Sequence, residues 1–161
     1  AGIINKKALR GNHLIAGEMS RFTIPTDYKT VKPQNMAHYY STASAVKRCA
    51  VALEIDPFDF SGEKMMNMYR EGNEVVVDIC EDWFYKIAVL CYQLSLTVDP
   101  DVICIGGGIS ADPDFVGGIQ RYVHKIFECG HQFIEPKVVV CEFQNDSNII
   151  GALYNFKQLY A

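Results

Sequence analysis

The feature that most constrains this chain runs from Asn73 to about Thr97, where Val76, Ile79, Cys80, Trp83, Ile87, Leu90, Cys91 and Leu94 recur at intervals of three and four. That spacing places them on one stripe of an α-helix. Val75, Val77, Phe84, Ala88 and Val89 widen the stripe nearly all round, which predicts a helix buried over most of its surface inside a larger fold. Asp99-Pro100-Asp101 stops it, since Pro has no amide hydrogen with which to continue a helix. The wholly apolar run Val102-Ile103-Cys104-Ile105 then reads as a short central parallel strand covered on both faces, and Gly106-Gly107-Gly108 ends it. A helix from Asp114 to Cys129 leads to a second buried strand, Lys137 to Cys141, after which Asn145-Asp146 can cap a last helix carrying Ile149, Ile150, Leu153 and Phe156. Strand, glycine turn, helix, strand and helix in this order predict an α/β layer with a right-handed crossover.

The segments upstream are shorter. Ile3-Ile4 and Ala8-Leu9 flank the turn-like Asn5-Lys6-Lys7, which predicts a hairpin over Gly2 to Gly11. Residues 21–41 contain Pro25 and Pro33, many polar residues and no period, so they read as a long loop. Ala45, Val46, Cys49 and Leu53 fit a helix from Ser41 or Thr42 to Leu53, ended by Asp56-Pro57. Ser61, followed by Met65, Met66 and Tyr69, predicts a short helix closed by Gly72.

Composition excludes several function classes. With 49% hydrophobic and 21% charged residues among 161, the chain is one globular domain or part of a larger one. Its longest apolar stretches, such as Ile87 to Cys91, fall far short of the roughly 20 residues needed to cross a bilayer. The net charge of -4, with Lys and Arg thinly spread, argues against nucleic acid or a membrane as partner. No two of the six cysteines lie within ten residues of each other, and each has apolar neighbours. They read as buried free thiols of a cytoplasmic protein, and the amino terminus lacks the apolar core of a signal peptide.

Three places could carry chemistry. Gly106-Gly107-Gly108-Ile109 lies at the carboxyl end of a strand, where open α/β sheets bind ligands and where a backbone without Cβ atoms can lie against a nucleotide. A plain strand-to-helix turn fits the same residues. The segment is neither a Walker A loop nor GxGxxG. Glu18, in Ala16-Gly17-Glu18-Met19-Ser20-Arg21, could accept hydrogen bonds from sugar hydroxyls, or be a solvated surface carboxylate. His13 and His38 flank the long loop and read first as ordinary polar residues. Trp83 and the Met65, Met66, Met68 group, at helical spacing, read as core.

Together these motifs resemble the carboxyl-terminal half of the ROK family of sugar kinases and repressors. Gly2 to Gly11 with Ala16-Gly17-Glu18 looks like the family's hairpin and Ala-Gly-Glu sugar motif. Asp99-Pro100-Asp101-Val102-Ile103 through Gly108-Ile109-Ser110 is similar to its adenosine-side glycine motif, and Asn145-Asp146 through Gly151-Ala152-Leu153 to its closing helix. The resemblance covers nearly the whole chain. It implies a ribonuclease H-like lobe of the actin/hexokinase ATPase type, with a mixed sheet and helices on both faces.

The resemblance also implies a division of labour. Residues 1–161 would be the carboxyl-terminal lobe of an ATP-dependent kinase that moves phosphate from magnesium-bound ATP to a hexose or glucoside. Gly106, Gly107, Gly108 and Ile109 would contact the adenosine, and Glu18, Arg21 and His38 the sugar. The family's catalytic Asp and both phosphate loops belong to a half upstream, so this chain would supply no catalytic residue and be inert alone. Where the family commonly places a His three residues after the sugar-motif Glu, this chain has Arg21. Residues 21–41 contain no cysteine, so the long loop would replace the zinc-binding segment and no zinc would bind. A homodimer through this lobe is a further expectation. The alternatives are the sugar-sensing effector domain of a ROK-type transcriptional repressor, and a plain α/β interaction module.

Overall fold

The computed structural model describes residues 2–24, 34–35, 37–129 and 134–160. In chain order its elements are strands β1 (Ile3–Ile4), β2 (Lys7–Ala8), β3 (Thr23–Ile24) and β4 (Gln34–Asn35), then helices α1 (Ala37–Tyr40), α2 (Thr42–Ala52), α3 (Gly62–Arg70) and α4 (Glu74–Val98). Strand β5 (Val102–Ile105), helix α5 (Pro113–Glu128), strand β6 (Lys137–Val140) and helix α6 (Ser147–Tyr160) complete it. The chain divides into two compact units, one of residues 1–39 with 148–161 and the other of residues 40–147.

The larger unit is built on α4. Asn73 caps it by accepting a hydrogen bond from the Val76 amide at 3.2 Å, and Asp99, in the left-handed region at φ 43°, ends it just before Pro100. Similar caps start α2 at Ser41, α3 at Ser61 and α5 at Asp112, each contributing about 1 kcal/mol. Val76, Cys80, Trp83, Phe84, Ile87, Ala88, Cys91 and Leu94 are buried along α4. The stripe is narrower than the sequence suggests: Val75, Tyr85, Leu96 and Val98 are 41–54% exposed, because α2, α3 and α5 cover one broad face and leave the other to solvent.

Aromatic stacking ties α5 to α4. Trp83 stacks on Phe115 with centroids 4.6 Å apart, and Phe84 meets Phe115 and Tyr69 edge-on at 5.9 and 5.5 Å. The Trp83 indole N–H donates to the Tyr40 carbonyl at 2.9 Å, which satisfies its one polar atom. The helices approach so closely at Gly118 that a Cβ there would stand 2.3 Å from the Phe84 ring.

Strands β5 and β6 pair in parallel, Val102 with Lys137 through Ile105 with Val140, and α5 is the crossover between them. The α/β reading holds. The expectation of strands covered on both faces does not: Val102 and Cys104 are exposed while Ile103 and Ile105 are half-buried. The physical reason is that, among the described residues, this pair is a two-stranded sheet packed on one side only.

In the smaller unit, β1 and β2 form the expected hairpin, Ile3 opposite Ala8 and Ile4 opposite Lys7. Asn5 and Lys6 both have positive φ, 51° and 64°, the combination a tight two-residue hairpin turn requires. The segment read as a long loop follows a single 3-10 turn at Met19–Arg21 and contains ordered pieces: an antiparallel pairing of β3 with β4, and α1. Its residues 25–33 and 36 lie outside the described residues. All six cysteines are free, but only Cys49, Cys80 and Cys91 are buried. Cys104 falls on the open side of β5 and Cys129 caps α5, so apolar sequence neighbours did not bury them.

Candidate functional site

The glycine turn lies in the larger unit, where β5 gives way to a 3-10 turn, Gly108–Ala111. Its three glycines answer three different demands. At Gly106 a Cβ would stand 3.1 Å from Cys141 Sγ, so the small residue lets the ends of the two strands close up. Gly107 has φ +96°, a conformation that L side chains rarely adopt. Gly108 has neither constraint: no neighbour lies within 4 Å of its ideal Cβ, and it is exposed. Gly107 likewise has no neighbour within 4 Å of its ideal Cβ.

The turn is held from below. The Gly107 amide donates to the Gln144 carbonyl at 3.4 Å. Its carbonyl accepts twice from Ser110, from the amide at 3.0 Å and from the hydroxyl at 2.7 Å. Ser110 is 1% exposed, the one buried polar side chain of the core among the described residues. Downstream, Asp112 caps α5, and the Arg70 guanidinium clamps Asp112 at 2.9 Å and Asp114 at 3.0 Å. Ile109 is half-buried and packs on the core, which pins the turn from its apolar side.

The second candidate cluster lies in the smaller unit. Gly17, at φ 79°, turns the chain into the Met19–Arg21 turn, and the Arg21 amide donates to the Glu18 carbonyl at 3.2 Å. Glu18 and Arg21 therefore share one exposed turn. The Ser20 hydroxyl donates to the Glu18 carboxylate. That bond, with the Arg21 charge beside it, holds the Glu18 carboxyl below its ordinary value. It is an exposed anion with acceptor sites to spare. His38 lies on α1 and is exposed. Among the described residues no three His, Cys, Asp or Glu side chains gather as a metal site.

The reading of the sequence missed Ser110, Gln144 and Arg70 as supports of the glycine turn. A hydroxyl two residues after a triple glycine was a local signal for the first. Gln144 acts through its backbone, and Arg70 reaches Asp112 from 42 residues away, so neither left a local trace.

A parallel strand pair joined through a helix, with an open glycine turn at the carboxyl end of the first strand, is what this geometry defines, and known proteins place it in a family. The model of the ROK family matches residues 1–159, and the chain belongs to that family. A ROK family protein from Streptococcus pneumoniae TIGR4, solved in complex with sucrose, superposes with a TM-score of 0.87 at 27% identity, over 97% of this chain and 53% of that one. A ROK family glucokinase from Streptomyces griseus, in complex with glucose and AMPPNP, gives a TM-score of 0.79 at 18% identity over 93% of this chain and 54% of that one, and so shares the fold. A β-glucoside kinase of Klebsiella pneumoniae is 28% identical over 100 residues, 62% of this chain and 32% of that protein. The chain spans about half the length of the relatives that it matches from end to end. No helix among the described residues is long and apolar enough to cross a membrane.

Proposed function

We propose that this chain is the nucleotide-holding and part of the sugar-holding portion of a cytoplasmic sugar kinase that moves the γ-phosphoryl of magnesium-bound ATP to a hexose or glucoside hydroxyl. The observation that carries the reading is Gly108, an exposed glycine that neither its backbone angle nor its neighbours require. Beside Gly107, it leaves open the space against which a planar base could lie, the contribution of Gly106 through Ile109 to binding. Glu18, with free acceptor sites, would take sugar hydroxyls, and Arg21 and His38 would flank it. Similarity to β-glucoside kinases and to a glucokinase solved with glucose and AMPPNP supports both halves of the assignment. In this reading the chain contributes no catalytic base, transfers no phosphate on its own, binds no zinc and pairs with a second copy through this lobe.

Titration calorimetry of the purified chain with AMPPNP tests the reading. Saturable binding by the wild type is expected, with at least about tenfold weakening in Gly108→Val at an unchanged melting temperature, because a Cβ there has no protein atom within 4 Å and would stand in the space proposed for the ligand. Equal binding by both proteins would make the glycines a turn and nothing else. An ADP-release assay with glucose and β-glucosides should find no turnover by residues 1–161.

A further inference from the structure

Two of the hydrogen bonds beneath the glycine turn end on one atom, the carbonyl oxygen of Gly107, one from the Ser110 amide and one from the Ser110 hydroxyl. Resting on the nucleotide reading above, we propose that Ser110 is a positioning residue of the nucleotide site: its buried hydroxyl locks the Gly107 peptide so that the open face of Gly107 and Gly108 is preformed for the ligand.

Three observations carry this. Ser110 is 1% exposed in an otherwise apolar core, where a hydroxyl without a partner is unfavourable, so its direction is dictated by the acceptor it can reach. That acceptor is the Gly107 carbonyl at 2.7 Å, the shorter of the two bonds Ser110 makes to it. Gly107 also has conformational freedom to lose, since glycine visits both signs of φ and no neighbour lies within 4 Å of its ideal Cβ position. Its own amide is held only by a long bond of 3.4 Å to Gln144. Without the hydroxyl, the peptide keeps one short bond, from the Ser110 amide, and that bond persists in other turn conformations. The hydroxyl selects one. A ligand that needs the selected conformation then meets it ready-made and loses less entropy on binding.

The test is AMPPNP titration of the 161-residue chain as wild type, Ser110→Ala and Ser110→Thr, with thermal unfolding of each without ligand. Ser110→Ala should bind about three- to tenfold more weakly while remaining fully folded at the titration temperature, and Ser110→Thr, which keeps the hydroxyl, should recover most of the loss. A merely structural role would lower the melting temperature and leave the affinity of the folded protein alone, and that result overturns the inference. Hydrogen exchange on the wild type covers the case in which the variants do not fold: the Gly107 and Ser110 amides should be protected before ligand is added and change little when AMPPNP binds. Amides that exchange freely until nucleotide arrives would show a turn ordered by its ligand, against preorganisation by Ser110. Failure of the wild type to bind AMPPNP would sink the nucleotide reading and this inference with it, whereas equal binding by wild type and Ser110→Ala sinks the inference alone.

Discussion

Among the described residues, every buried apolar side chain belongs to residues 40–147, and the unit of residues 1–39 with 148–161 has none. Both are rich in apolar residues. Ile3, Leu14, Ile15 and Ile149 are 71–76% exposed in the smaller unit, whereas Trp83, Phe84, Met65 and Ile119 in the larger one are fully buried. The difference lies in the elements that carry them. In the larger unit helices of nine to 25 residues present stripes wide enough to bury one another, while in the smaller unit strands of two residues have no face to offer and the 14-residue α6 leaves Ile149, Leu153 and Phe156 more than half exposed. Stability should therefore reside almost wholly in one unit, and the other should matter for what it touches.

The sharpest way to break this contrast is at the α4–α5 contact. Phe84→Ala should cost about 3–5 kcal/mol in urea unfolding, since it empties the space between Trp83, Phe115 and Tyr69. Gly118→Ala should cost about 1–3 kcal/mol by the opposite route, overpacking the same ring. The double variant should be less damaging than the sum, because the new methyl enters the space the ring vacates. Strict additivity would show that Gly118 and Phe84 do not share a contact.

Glu18→Ala sharpens the contrast from the other side. In the complete kinase proposed above it should raise the sugar KM by about tenfold or more, through loss of a charged acceptor, without lowering the unfolding temperature of this exposed turn. An unchanged KM would remove the carboxylate from the sugar site.

A smaller effect tests the electrostatics of the larger unit. Burial works against ionisation of Glu81, but hydrogen bonds from Tyr69, Tyr122 and Arg121 outweigh it and hold the carboxyl below its ordinary 4.5. A depressed carboxyl contributes stability above its unfolded value and loses it as the pH falls through its folded value. Glu81→Gln should thus be less stable at pH 7, by about 0.5–1 kcal/mol for a partly exposed network, and the difference should shrink on acidification below pH 4.5. A difference independent of pH would assign the effect to packing. Smallest of all, Ile149→Ser on α6 should change stability by less than about 0.5 kcal/mol, since its side chain is 72% exposed.

Most of the element order was legible before any coordinates. The three-four spacing of α4, the Ser61 start of α3, the hairpin at Asn5 and the strand-glycine-helix succession are local signals, set by residues within a turn or two of each other. The same holds for the Ala16-Gly17-Glu18 and triple-glycine motifs, and for the family they resemble. What local pattern could not convey was which apolar surfaces find a partner. Apolar runs at Val102 to Ile105 and Ile149 to Phe156 look like buried strand and buried helix face, yet both are partly open to solvent.

The candidate site divides along the same line. That glycines would end β5 follows from the sequence, because a triple glycine cannot continue a strand favourably. Which glycine closes the strands, which bears the strained angle and which faces open space depends on Cys141, Gln144 and Ser110, and the first two come from beyond α5. Steric and hydrogen-bonding demands act over a few ångströms, and distance along the chain does not measure them. The caps, the periodicities and the order of elements were therefore written in neighbouring residues, while the close approach at Gly106 and the bond that holds the Gly107 amide exist only where Cys141 and Gln144 meet the end of β5.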